Sequence, residues 1–159
     1  MQKKSIFIIF IVVILIAAAG YFGYNQFMVK DNTNNNQVKV GAATFTVPEG
    51  FQVGSLNKHN DTNITNGYDT VFIKDCGNDN ITKYTKEYAK YLKSKDNTTK
   101  VKTKNFTVGD TVVYKVHAAN QTSNLHYWFE YNGEIYSIYS WSASDNTDKI
   151  VTDLIKSIK

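Results

Sequence analysis

The sequence predicts an α+β fold: a central antiparallel sheet with two helices packed on it, an α/β/α sandwich, preceded by one transmembrane helix. Three observations carry that reading. An apolar run at residues 5–22 stands apart from everything after it. Further on, segments that alternate apolar and polar residues are joined by Gly-Asp and Asn-Gly turns. Two other stretches repeat their apolar residues at helical spacing, one in mid-chain and one at the C-terminus. The chain therefore divides into an N-terminal membrane anchor at 1–29, a polar linker at 30–37 and an extracytoplasmic domain at 38–159.

The anchor is argued from length and flanks. At 1.5 Å per residue, an 18-residue helix reaches about 27 Å, close to the hydrocarbon thickness of a bilayer. Lys3 and Lys4 precede the run, and Tyr21, Phe22, Tyr24 and Phe27 fall where an aromatic belt would meet the far headgroups. Lysines on the near side keep the amino terminus in the cytoplasm and send the domain outside, as a single-pass protein of the cell membrane. A cleaved signal peptide is the competing reading, with an apolar core at 6–16 and a small-residue site at Ala17, Ala18 and Ala19. Apolar and aromatic residues that continue to Val29 favour the anchor, and both readings leave the domain outside the cytoplasm. A lipoprotein would need a cysteine just after the run, but the single cysteine is Cys76. A type IV pilin would need a processing site before the run and an acidic residue early in the mature helix. Residues 31–37, DNTNNNQ, have nothing to bury and read as a tether.

Composition bounds the rest. About 130 residues follow the run, enough for one domain. Mean hydropathy is −0.36, yet 14% of residues are aromatic and 42% hydrophobic, so a polar chain still carries the rings to build a core. All 18 basic residues are Lys, which removes the planar fork that reads phosphate or guanine bidentately. Lys100, Lys102 and Lys104 alternate with Val101 and Thr103 as the wet face of a strand does, so no nucleic-acid partner is expected. One cysteine excludes an internal disulfide; Cys76 reads as a small buried residue, with a disulfide to another chain as the sharper alternative. Six sequons, at Asn60, Asn63, Asn80, Asn97, Asn105 and Asn120, are candidate N-glycosylation sites, although an Asn-rich composition accounts for much of their number.

In the domain, Ala43, Phe45 and Val47 share one face of a strand that stops at Pro48, and Glu49-Gly50 turns the chain into Phe51-Gln52-Val53. Residues 68–76 hold a short buried strand with Val71, Phe72 and Ile73. Asn78, Asp79 and Asn80 supply capping oxygens for a helix whose inner stripe is Ile81, Tyr84, Tyr88, Tyr91 and Leu92. Gly109-Asp110 joins strands at 101–108 and 111–118, and Asn132-Gly133 joins Tyr131 to Glu134 through a type I′ turn. Large apolar groups on both faces of 134–141 predict a sheet covered on both sides. Capping candidates at 144–148 precede a last helix with Ile150, Val151, Leu154, Ile155 and Ile158 inward.

Matching apolar faces pairs Val116 with Tyr127 and Tyr114 with Phe129, leaving residues 120–123 as the loop. In that register His117 falls opposite His126, on one face with Lys115, Trp128 and Glu130, and the next strand adds Ile135, Tyr139 and Trp141. The candidate binding face is therefore His117, His126, Trp128, Tyr139 and Trp141, open to a protein or small-molecule partner. Two imidazoles and the Glu130 carboxylate suggest a divalent metal, but Glu130 lies roughly 13 Å along the strand from His126, so the ligands do not converge and no metal is assigned.

The Phe45-Thr46-Val47-Pro48-Glu49-Gly50-Phe51 segment, the mid-chain helix, the antiparallel meander and the terminal helix ending on Lys156-Ser157-Ile158-Lys159 resemble the PsbP-like fold. The resemblance covers 38–159 and implies an accessory or binding protein more than an enzyme; it carries no functional residue over by position.

Nothing in the sequence assembles a reaction centre. Cys76 has no nearby His, His59 sits in a Lys-Asn-Asp loop, no serine occupies a Gly-rich elbow, and neither a Walker loop nor a dinucleotide fingerprint is present. The expectation is a non-catalytic binding or accessory role without cofactor. An envelope structural component is the alternative, and a small hydrolase or metal-binding protein stands further off.

Overall fold

The computed structural model describes residues 36–95, 98–118 and 121–159, the side chains of 121–123 excepted. The expected anchor, the tether as far as residue 35 and the sequons at Asn97 and Asn120 lie outside the described residues. Among the described residues, no helix is long and apolar enough to cross a membrane.

The described elements are β1 (Gln37–Val40), β2 (Ala43–Thr46), β3 (Gln52–Val53), β4 (Thr62–Thr65), β5 (Thr70–Asp75), α1 (Ile81–Lys95), β6 (Val101–Val108), β7 (Thr111–Ala118), β8 (Gln121–Tyr131), β9 (Glu134–Ser140) and α2 (Thr147–Lys156). β1 and β2 form a separate hairpin; the rest build one antiparallel sheet in the order β3-β4-β5-β9-β8-β7-β6. The chain leaves β5, crosses one face as α1, reaches the far edge at β6 and meanders back until β9 pairs with β5. That crossover fixes where α1 lies, and with it the groove described below.

Local chemistry explains the turns. Asn132 and Gly133 both have positive φ, 51° and 79°, as a type I′ turn demands, and Tyr131 pairs with Glu134 across them. Gly109 takes φ 59° between Val108 and Thr111, the expected Gly-Asp hairpin. α1 begins where predicted, with the Asn80 side chain accepting the amides of Thr82 at 2.8 Å and Lys83 at 3.3 Å. Lys93 and Lys95 in its last turn complement the helix dipole.

Alternation then sorts side chains to two faces. On the α2 face, Tyr127, Phe129, Tyr136, Ile138, Ile73 and Val113 are buried with Ile150, Val151, Leu154 and Ile155 of α2 and with Phe45 of the β1–β2 hairpin. Fully burying such side chains contributes roughly 1.5–3 kcal/mol each. The C-terminus is tied to this face by reciprocal backbone bonds of 3.1 Å between Thr44 and Lys159. On the α1 face the core is smaller: Leu92 of α1 packs with Val116, Trp128 and Ile135. Both faces of β9 are covered as expected, since Ile135 through Ser140 are all buried.

One strand has no counterpart in the sequence reading, and three expectations need correction. Residues 62–65 form a strand that pairs on both sides, although Thr-Asn-Ile-Thr offers one apolar residue as a signal. Residues 121–123 of the expected loop belong instead to an early start of β8, with Gln121 opposite Ala118. Asn146 precedes α2 without a side-chain capping bond; Thr147 Oγ1 instead accepts the amide of Ser144 at 2.9 Å. Most consequentially, β7 and β8 pair one residue away from the expected register: Val116 faces His126, Lys115 faces Tyr127 and Tyr114 faces Trp128. The pairing breaks between His117, opposite Leu125, and Ala118, opposite Gln121.

Candidate binding groove

The slip divides the expected site. A one-residue shift sends every side chain of a strand to the opposite face relative to its partner, so His117 and Lys115 go to the α2 face while His126, Trp128 and Glu130 stay on the α1 face. His117 pairs across with Leu125, not His126. Its Nδ1 is buried without a hydrogen-bond partner among the described residues, and burial, then the charges of Lys115 and Lys102, hold its pKa below the ordinary histidine value. The expected cross-strand neighbourhood of His117 and His126 is therefore not formed. Among the described residues, no group of three or more His, Cys, Asp or Glu side chains is placed to hold a metal ion.

The other four expected residues come together. β8 and β9 pair His126 with Tyr139 and Trp128 with Ser137, and β5 adds Phe72 beside Tyr139 and Lys74 beside Ser137. α1 packs over β6, β7 and β8, leaving this face of β5 as open floor beside the helix. Rings run along that floor without a break. The His126 imidazole and Trp128 indole are parallel with centroids 3.9 Å apart, His126 and Tyr139 stand at 5.0 Å, Tyr139 and Phe72 at 5.2 Å, and Trp141 lies 5.4 Å from both Tyr139 and Phe72. At the α1 end, Tyr88 drops edge-on to His126 at 4.6 Å and Trp128 at 5.3 Å. Trp141, at the other end, is 54% exposed.

Between α1 and the floor opens a cleft of ≈ 450 Å³, within the range of small-molecule sites. Tyr84, Glu87, Tyr88 and Tyr91, at helical spacing, form its wall; Lys74, Ser137, His126 and Trp128 form its base. The stripe first read as the inner face of α1 is thus only half inside: Leu92 alone is buried, and Tyr91 is exposed. Tyr84 is held by its hydroxyl, which donates to the Cys76 carbonyl at 2.8 Å.

Electrostatics at the base are simple. Burial, followed by the Lys74 charge, pulls the His126 pKa down to about 3, so the imidazole is neutral at physiological pH. Burial pushes the Cys76 thiol up despite a hydrogen bond with Ser137 and the nearby Lys74, so it remains a thiol and a poor nucleophile. The far side of Tyr139 is anchored outside the cleft, where its hydroxyl donates to Asp61 Oδ2 at 2.5 Å and accepts from Asn57 Nδ2 at 2.9 Å. A larger opening of ≈ 680 Å³ lies by α2, but Lys149 on its rim is already paired with Asp153 at 2.5 Å.

Sequence reasoning missed Phe72 and Lys74 as groove residues because the β5–β9 pairing that brings them in joins distant segments. No protein-family model matches the chain. No curated protein matches it either. Among solved structures, the chain is similar to cyanobacterial PsbP (CyanoP) from Synechocystis sp. PCC 6803, with 10% identity and a TM-score of 0.46 over 74% of this chain and 85% of that one. The similarity is the weak, architecture-level resemblance to the PsbP-like fold expected from sequence, and no residue role passes across it.

Proposed function

We propose that the protein is a membrane-anchored extracytoplasmic module with a non-catalytic binding role, and that it holds a small molecule in the groove between α1 and β5. The observation that carries the reading is the unbroken row of rings from Trp128 to Trp141, which ends in an exposed indole and borders a cleft of ≈ 450 Å³. Trp128 and Tyr139 are already buried within this row, so the ring surface left to water is the Trp141 indole at one end and Tyr91 on α1, and a ligand with an apolar or ring-shaped body would cover it. The neutral His126 and the protonated Cys76 support binding over chemistry. Lys3 and Lys4 before the apolar run support the orientation.

Trp128 and Trp141 are the two tryptophans of the chain, so their emission reports the groove directly. A component of an extracytoplasmic small-molecule extract should shift the emission of the full chain, and Trp141→Ala should lose part of the response. A shift given only by the polypeptide fraction would move the reading to a protein partner. No shift from either would overturn it in favour of an envelope structural role. External protease acting on intact cells should remove the domain and leave Met1 with the membrane; protection until lysis would reverse the orientation.

A further inference from the structure

Building on that binding reading, we propose that the cleft takes a zwitterion: a quaternary ammonium group held among Tyr84, Tyr88 and Tyr91 beside Glu87, with a phosphate or carboxylate a few atoms away met by Lys74. The argument begins with the charges. Lys74 and Glu87 line the same cleft from different walls, one on the sheet and one on α1. Among the described residues, neither makes a hydrogen bond or an ion pair, since the ion pairs join Lys83 to Asp79, Lys115 to Asp148 and Lys149 to Asp153. The third charge on the rim, Asp75, is engaged, accepting the Gly77 amide at 2.8 Å. Lys74 acts on both His126 and Cys76, which places its field over the base of the cleft. Glu87 acts on Lys83 one turn back only at a distance.

The walls decide the kind of cation. Three tyrosines at i, i+4 and i+7 of one helix present rings where Glu87 supplies the negative charge, and aromatic faces attract cations most when the cation is weakly hydrated. The stripe already draws one: Lys95 Nζ lies 5.0 Å from the Tyr91 ring centre. His126 adds no charge. A neutral sugar would leave Lys74 and Glu87 both unanswered, and a simple anion would face Glu87. A zwitterion answers both, and the cleft is large enough for a headgroup-sized molecule. Such a group is found on free solutes and on phospholipid headgroups, and the test separates them.

The full chain in maltoside micelles is titrated with phosphocholine, read by tryptophan emission and by equilibrium dialysis of labelled phosphocholine. Saturable binding is expected, with choline alone and inorganic phosphate alone each at least roughly tenfold weaker. Glu87→Gln should weaken phosphocholine and choline but not phosphate; Lys74→Gln should weaken phosphocholine and phosphate but not choline. Both side chains are exposed, so the variants keep the fold, and circular dichroism checks it. Competition by phosphatidylcholine nanodiscs would assign the site to a lipid headgroup, and competition only by soluble zwitterions to a free solute. Phosphocholine binding no better than its halves, or indifferent to both substitutions, overturns the inference. If another small molecule then shifts the emission, the groove reading stands without it; if none does, both fall.

Discussion

The His126 imidazole lies parallel to the Trp128 indole, ring centroids 3.9 Å apart, with Tyr88 edge-on to both. Burial strips water from a protonated ring there, and the Lys74 charge opposes it further, which is why its pKa falls to about 3. The folded pKa is below the unfolded value of about 6.5. Between those two values the unfolded chain binds a proton that the folded chain refuses, so stability is present above pH 6.5 and lost as pH falls toward 3. At pH 5 the loss attributable to His126 should be about 1–2 kcal/mol. Denaturant titrations at pH 7.5 and pH 5, for the native chain and His126→Gln, measure it. An equal drop in both proteins would mean that the ring is not the source.

Asn132→Val should destabilise the domain by about 1 kcal/mol or more, because a β-branched side chain resists the left-handed conformation. Asn132 has φ 51° and its neighbour Gly133 φ 79°, so the turn has no alternative that keeps Tyr131 opposite Glu134. Thermal melts of the two proteins decide it, and an unchanged midpoint would show that the hairpin is held by its strands alone.

Turns and helices were legible because their signals are local: Asn132-Gly133, Gly109-Asp110, and Asn80 before the Tyr-rich stripe. The groove was legible along β8 and β9, because the Asn-Gly turn alone dictates that His126 faces Tyr139. His117 was misplaced because its position depended on β7 against β8, where both faces of the sheet are covered. β8 carries rings at both parities, Tyr127 and Phe129 on one and Trp128 on the other, so two registers bury comparable apolar surface. What separates them is tertiary: Val116 is needed beneath Trp128 and Leu92, and Val113 beside Phe129. Neither requirement can be read within the two strands.

That register has a direct chemical check. With His117 opposite Leu125, the pair His117→Cys and Leu125→Cys should oxidise to an intramolecular disulfide, because facing Cβ atoms lie roughly 4.5–5.5 Å apart. The pair His117→Cys and His126→Cys should not, since those side chains leave opposite faces of the sheet. Crosslinking of the second pair in preference to the first would restore the register expected from sequence.

Gly41 is constrained twice, by its own backbone and by its neighbour. It has φ 57° in the β1–β2 turn, and a Cβ there would come within 2.0 Å of Asp75 Oδ2. Gly41→Ala should cost about 2 kcal/mol or more, combining backbone strain with displacement of a carboxylate that holds the Gly77 amide. Removing the clash with Asp75→Ala should recover part of the loss when the substitutions are combined. The coupling between the two sites, read from four denaturation curves, should therefore be non-zero; strict additivity would mean that the carboxylate moves aside freely.

Tyr139 does two things at once, and one substitution separates them. Its ring belongs to the groove floor, while its hydroxyl joins Asp61 and Asn57 outside it. Asp61 is only 5% exposed, and the Tyr139 hydroxyl at 2.5 Å and Asn57 Nδ2 at 3.2 Å are its side-chain donors among the described residues. Asn57 in turn accepts the amides of His59 and Asp61 at 2.8 and 3.0 Å, so the β3–β4 loop is organised around this pair. Tyr139→Phe keeps the ring and strands the carboxylate, which should cost about 1–3 kcal/mol and speed hydrogen exchange at the Asp61 amide. Asp61→Asn, which removes the buried charge and keeps a hydrogen-bonding side chain, should cost less. Because the phenyl ring still spans from Phe72 to His126, tryptophan emission from the groove should stay close to that of the native chain. A matching change in emission would show that the loop, and not the ring alone, sets the geometry of the floor.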